Sequence, residues 1–173
     1  MTAKQYCVAE KGFTLVEIMV VVVIISIMAL FVGPELVNFG PNMRVKAAAR
    51  DLHTNLQKMK VEAIKRNRDV VMDIGVVQNA YKIFIDDDNS HSQNGTEEWL
   101  HFTDESGDAS PDTDYDMPKN TTFSSSTFAS NWMGFDSRGL LLNGVGVFTL
   151  INDRGRTYTI TVSLAGGIST QKL

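Results

Sequence analysis

The chain has 173 residues, enough for one domain with an appended segment. Hydrophobic residues make up 43% and charged residues 21%, which excludes disorder throughout. The net charge of −4 argues against a nucleic-acid partner held by bulk positive charge. The single cysteine, Cys7, excludes an internal disulfide and a cysteine-built metal site, and three scattered histidines (His53, His91, His101) make a metalloenzyme improbable.

The hydrophobicity is concentrated near the start. In residues 18–32, fourteen of fifteen side chains are apolar, Ser26 being the exception. Extended to 13–32, the run is interrupted only by Thr14, Glu17 and Ser26. As a helix rising about 1.5 Å per residue it spans about 30 Å, one hydrocarbon core. The β-branched stretch 20–25 leans towards strand in water, but lipid demands that the backbone satisfy its own hydrogen bonds, so helix is expected. Lys4 and Lys11 precede the run and no basic residue follows before Arg44, which predicts a cytoplasmic N-terminus and an exported body. A cleaved secretory signal needs small residues after the run, whereas Phe31-Val32-Gly33-Pro34 supplies a proline. A lipoprotein signal needs its cysteine after the run, and Cys7 precedes it. A plain anchor leaves Glu17 unexplained. An intramembrane carboxylate costs a few kcal/mol and asks for a partner, such as another chain or a newly made N-terminal amine. The alternative is that Glu17 snorkels to the headgroups.

Val45, Ala49, Leu52, Leu56, Met59 and Ala63 form one apolar stripe at helical spacing, which predicts a helix over 41–66 with Pro41 in its first turn. Gly33-Pro34 and Gly40-Pro41 leave open whether this helix continues the first. If it does, the rod from 13 to 66 is about 80 Å long. The stripe is short for a coiled-coil seam and is expected to pack on the protein's own sheet. Eight basic residues border it, among them Arg44, Lys46 and Arg50, and the simplest reading is a solvated face. From Asp69 the period changes to two. Residues 69–74 and 80–85 read as a hairpin, 99–102 and 132–135 as short strands, and 145–150 with 157–164 as a second hairpin around Asn152-Asp153-Arg154-Gly155-Arg156. Residues 168–170 close the chain. Residues 106–110, 111–116 and 124–130 read as long connections. The expected fold class is α+β, a long N-terminal helix packed on an antiparallel β-sheet body.

Between Lys82 and Lys119 there is no Lys or Arg but there are eleven Asp or Glu. Asp86, Asp88, Ser90, Ser92, Asn94 and Glu97 occupy positions 1, 3, 5, 7, 9 and 12 of a twelve-residue loop of the calcium-binding kind. His91 stands where that loop wants glycine, and a strand rather than a helix precedes it. A solvated acidic loop is the plainer reading, with calcium the alternative; no other cofactor is expected. No G-x-S-x-G, no phosphate loop and no convergent nucleophile set is present, so the chain is not read as an enzyme.

Lys11-Gly12-Phe13-Thr14-Leu15-Val16-Glu17 followed by the apolar run resembles the class III leader and cleavage site of type IV pilins and type II secretion pseudopilins. The resemblance implies cleavage between Gly12 and Phe13 by a prepilin peptidase, N-methylation of Phe13, and retention of the apolar helix. It implies that Glu17 of one subunit meets the Phe13 amine of a neighbour and sets register, and that Pro34 bends the helix. Glu62-Ala63-Ile64-Lys65-Arg66, the hairpin after it, Phe135-Asp136-Ser137-Arg138-Gly139, residues 156–162, and Gly166 and Gly167 resemble the GspH/FimT family of minor pseudopilins and minor pilins. Some members carry C-terminal arginines and are linked to DNA uptake. This chain ends with one basic residue, Lys172, so nucleic acid is not expected as a partner.

The implied layout is a leader over 1–12, a transmembrane and assembly helix over 13–40, and a periplasmic domain over 41–173, with its β-sheet region over 69–173. The implied function is that of a minor pseudopilin priming or capping a type II secretion pseudopilus. It would sit in the bacterial inner membrane through residues 13–32, with the other pseudopilins, the peptidase and the assembly platform as partners. The alternative is a minor pilin of a type IV pilus.

Overall fold

The computed structural model describes residues 12–75, 79–95, 97–100, 102 and 114–173, with the side chains of 30–38, 114 and 129 excepted. The expected leader up to Lys11, the Pro34 side chain, the centre of the 75–79 turn and the connection at 106–110 lie outside the described residues. The chain divides into two units, one ending at Phe39 and the other Gly40–Leu173.

Helix α1 is Leu15–Arg66. Its start is encoded by Thr14, whose Oγ1 accepts the Glu17 N–H at 3.2 Å while its carbonyl accepts the Ile18 N–H at 3.3 Å. A Thr with Glu three residues on is the sequence form of a capping box, and an acid in the first turn favours the helix dipole. In this first unit the described side chains from 12 to 29 are all exposed, and the one polar group deep in the run is satisfied locally. The Ser26 hydroxyl donates to the Val22 carbonyl at 2.7 Å. The helix runs through Gly40 and Pro41.

In the second unit the predicted stripe is the floor of the core. Val45, Ala49, Leu52, Leu56, Met59 and Ala63 are all fully buried among strand residues such as Val70, Met72, Ile83 and Ile160, which disposes of the coiled-coil reading. The helix stops where Asn67 takes φ +53°, with the Arg68 N–H donating to the Ala63 carbonyl at 3.2 Å and the Asn67 N–H to that of Ile64 at 3.4 Å. This left-handed cap turns the chain directly into the first strand.

The strands are β1 (Asp69–Gly75), β2 (Ala80–Asp86), β3 (Asp114–Asp116), β4 (Thr121–Ser126), β5 (Trp132–Phe135), β6 (Gly146–Asn152), β7 (Thr157–Val162) and β8 (Ile168–Lys172). They form two four-stranded antiparallel sheets, ordered β3-β2-β1-β5 and β4-β6-β7-β8. Both predicted hairpins are present, β1 with β2 (Met72 opposite Ile83) and β6 with β7 (Phe148 opposite Ile160). The buried alternation along β6 places Phe148 and Leu150 in the core.

Two expectations fail. Of the expected strand over 99–102, the described residues 99, 100 and 102 form no strand; Trp99 makes an isolated bridge to Phe84. The outer edge of β2 is shared: β3 takes Ala80, Tyr81 and Lys82, and the segment at 98–100 takes Ile83 and Ile85, leaving neither room to grow. Residues 111–116 and 124–130 are not wholly connections, because β3 and β4 lie partly within them. The serine-rich β4 has little strand propensity of its own, and tertiary packing decides. Phe123 and Phe128 lie 6.2 and 4.9 Å from the Phe148 ring, and Asn79 ties β4 to the first sheet, donating to the Thr121 carbonyl at 2.8 Å and accepting the Phe123 N–H at 2.9 Å.

Candidate functional site

Two places carry the chemistry singled out in the sequence, one in each unit. At the start of the apolar helix, Gly12 and Phe13 precede the first turn and Phe13 is 81% exposed. The scissile bond expected between them is therefore outside the helix. Glu17 projects from the first turn, also exposed, and has no ion-pair partner among the described residues. Its backbone N–H is spent on Thr14, and its carboxylate has no hydrogen-bond partner among the described residues.

The acidic loop opens directly from β2. Its position-1 residue, Asp86, is the last of the strand and is buried; Glu97, at position 12, is buried too. One carboxylate oxygen each from Asp86, Asp88 and Glu97 lies within 4.8 Å of the others. The loop is wound around these carboxylates by its own backbone. Asp86 accepts the Ser90 and His91 N–H groups at 3.2 and 3.0 Å, and Glu97 those of Asp87 and Asn94 at 3.2 and 3.3 Å. Burial, reinforced by Asp86 and Asp88, pushes the Glu97 carboxyl above its ordinary range. Hydrogen bonds from Ser90 hold Asp88 below it.

Of the other predicted positions, Ser90 donates its hydroxyl to the Ser92 carbonyl at 2.8 Å, and Asn94 turns its Nδ2 to Asp88 at 2.7 Å. The three carboxylates therefore converge, while Ser90, Ser92 and Asn94 bond within the loop. An oxygen set of this kind can hold a hard cation. His91, at the glycine position, adopts φ +55°, the left-handed conformation glycine would supply. Its ring stacks on Trp132 of β5 at 4.2 Å and 8°, a contact no local sequence signal announces because the partners are far apart along the chain.

Residues 48–166 match the profile of the type II transport protein GspH family. The chain belongs to the GspH family. Residues 8–33 match the prokaryotic N-terminal methylation motif. No curated protein matches the chain in sequence. Solved structures with a similar fold include the minor pseudopilin EpsH of the type 2 secretion system of Vibrio cholerae. It has a TM-score of 0.55 at 10% identity, over 75% of this chain and 97% of that one. E. coli GspH has a TM-score of 0.52 at 15% identity, over 76% and 89%. The type IV minor pilin FimU of Pseudomonas aeruginosa has 0.50 at 18% identity, over 77% and 92%. At such identities the likeness is one of fold, and it establishes the pilin-like architecture of helix and antiparallel sheets.

Within this GspH-family body the glycines that carried the resemblance have a packing reason. Gly139 and Gly166 meet beneath Lys60 of α1, whose Nζ donates to the Gly166 carbonyl at 3.0 Å. A Cβ at Gly166 would stand 2.2 Å from the Gly139 carbonyl oxygen, and Gly166 has φ +69°, so no side chain is tolerated there.

Proposed function

We propose that this GspH-family chain is a minor pseudopilin of a type II secretion system, a structural subunit without catalysis that primes or caps the pseudopilus. The observation that carries the reading is the joining, in one chain, of the N-terminal methylation motif to a GspH body. A prepilin peptidase cuts between Gly12 and Phe13, Phe13 is N-methylated, and the apolar helix is kept. Residues 13–32 anchor the subunit in the inner membrane, with its N-terminus in the cytoplasm and its body in the periplasm. Among the described residues no helix is long and apolar enough to cross a membrane, but the described side chains of the run stop at Ala29 and the proposed span continues to Val32. On leaving the bilayer for the filament, Glu17 pairs with the Phe13 amine of a neighbour. A buried pair of this kind sets register because either charge left alone is costly. Partners are the other pseudopilins, the peptidase and the inner-membrane assembly platform.

Mass spectrometry of the membrane-purified protein tests the processing: the mature chain should begin at methylated Phe13. Deleting the gene should abolish release of folded exoproteins and leave pilus-dependent motility intact. The reverse pattern would assign the chain to a type IV pilus instead.

A further inference from the structure

The second sheet ends in an edge that nothing among the described residues covers. β8 pairs with β7 only. The Ser163 N–H donates to the Gly167 carbonyl at 2.9 Å and the Leu173 N–H to that of Thr157 at 3.1 Å, with Ser169 opposite Thr161 and Gln171 opposite Thr159. Backbone groups at these odd-numbered positions face β7. By the two-residue period, the N–H and C=O groups of Ile168, Thr170 and Lys172 point outward from the sheet. The edge carries no proline and no bulge, and its single charge, Lys172, stands at the far end. Natural edges are commonly blocked by such devices, and this one is left open.

Beside it runs a groove of about 560 Å³, bounded by Lys46, Arg50 and His53 of α1 and by Tyr158, Ile168 and Thr170 of the sheet. No acidic side chain lines it, although the chain carries more acids than bases, and among the described residues neither Lys46 nor Arg50 has an ion-pair partner. His53 ties the helix side of the groove to the sheet side. Gln57 Nε2 donates to its Nε2 at 3.0 Å, which leaves Nδ1–H to donate to the Thr170 hydroxyl at 2.9 Å. Lys46 and Arg50 are one helical turn apart, about 6 Å, close to the roughly 6.6 Å between alternate side chains of a strand.

We propose that the outer edge of β8 and the Lys46–Arg50 face of α1 together receive an extended acidic segment of a partner protein, added to the sheet as a further strand. Main-chain hydrogen bonds to Ile168, Thr170 and Lys172 supply the register. The two cations select acids on the helix-facing side of the added strand, and Tyr158 and Ile168 offer an apolar floor.

The test uses the full chain in detergent micelles and the peptide Thr-Asp-Val-Glu-Val-Asp-Thr, with a counterpart in which lysine replaces each acid. Hydrogen exchange read by NMR should show the Ile168, Thr170 and Lys172 amides becoming protected on addition of the acidic peptide only. Thr170→Pro removes an outward N–H that the ladder does not use and should weaken binding about tenfold or more, as should Lys46→Glu with Arg50→Glu. Thr170→Ala keeps the N–H but loses the hydroxyl bond to His53, and should weaken binding less than Thr170→Pro does. Equal binding of the lysine peptide, no protection of the three amides in the parent chain, or full competition by an oligonucleotide would overturn the proposal. So would protection that grows with protein concentration alone, which would mean a second copy occupies the edge. The amide readout on the parent chain stands even if Thr170→Pro folds poorly.

Discussion

Glu17 and Glu97 are both acids in places that disfavour acids, and they resolve the conflict differently. Glu17 lies in an apolar run with its N–H capped by Thr14 and its carboxylate without an ion-pair partner among the described residues. Glu17→Leu keeps that N–H and so keeps the helix start, while deleting the charge. The variant is expected to be cleaved after Gly12 as the parent is and to enter filaments poorly; wild-type assembly would dismiss the pairing with Phe13. Glu97 is held by backbone donors but crowded by Asp86 and Asp88, and burial above all raises its pKa. A carboxyl raised in the folded state carries no penalty below its unfolded value, and the penalty is complete once pH passes the folded value. Above that folded value the loop holds repelling charges that a divalent cation would relieve. Millimolar calcium chloride is expected to raise the melting temperature at pH 7, an increase that Glu97→Gln abolishes. An unchanged melting temperature in the parent would return the loop to a solvated acidic turn.

Turns rather than strands fix how the elements meet. The turn after β5 is built on Asp136, whose Oδ1 accepts the Arg138 and Leu140 N–H groups at 2.9 and 2.8 Å while Oδ2 takes the Arg138 guanidinium at 2.8 Å. Burial raises this carboxyl, but the Leu140 and Arg138 bonds together outweigh it, and its pKa is lowered. The stability it contributes is present above the unfolded carboxylate value and is lost as pH falls through the lower folded value. Asp136→Asn keeps an Oδ1 acceptor but loses the charged pair. It should cost about 1 kcal/mol at pH 7 in urea unfolding, and the gap from the parent should close as pH drops below about 4. A gap constant with pH would show that the charge contributes nothing.

At the scale of the molecule, the two units differ in what satisfies them. Among the described residues, the buried hydrophobic ones belong to the second unit, beginning at Val45, whereas the apolar side chains described in the first are exposed. The second unit has its own core and needs no lipid or neighbour to bury it. A fragment of residues 40–173 is therefore expected to stay soluble without detergent and to unfold in one cooperative transition by far-UV and tryptophan signals alike. Within it, Leu56→Ala should cost about 2–5 kcal/mol. Transitions that separate between the two signals would mean that the two sheets do not share one core.

Much of this was legible from residue order. The stripe from Val45 to Ala63 and the two hairpins are local periodicities, and local physics fixes them. The position of the acidic loop was legible too, because its ligand spacing is written consecutively. What the tertiary structure alone decided concerns contacts between distant positions. Serine-rich β4 became a strand because Phe148 and Asn79 hold it there. Residues 99 and 100 did not extend into a strand because β3 had taken half of the available edge. His91 took a glycine's backbone conformation beside Trp132, and the odd-even bonding of β8 to β7 turned Ile168, Thr170 and Lys172 outward. Periodicity says which side of an element is greasy. Only packing says which neighbour reaches it first, and which backbone groups are then left over.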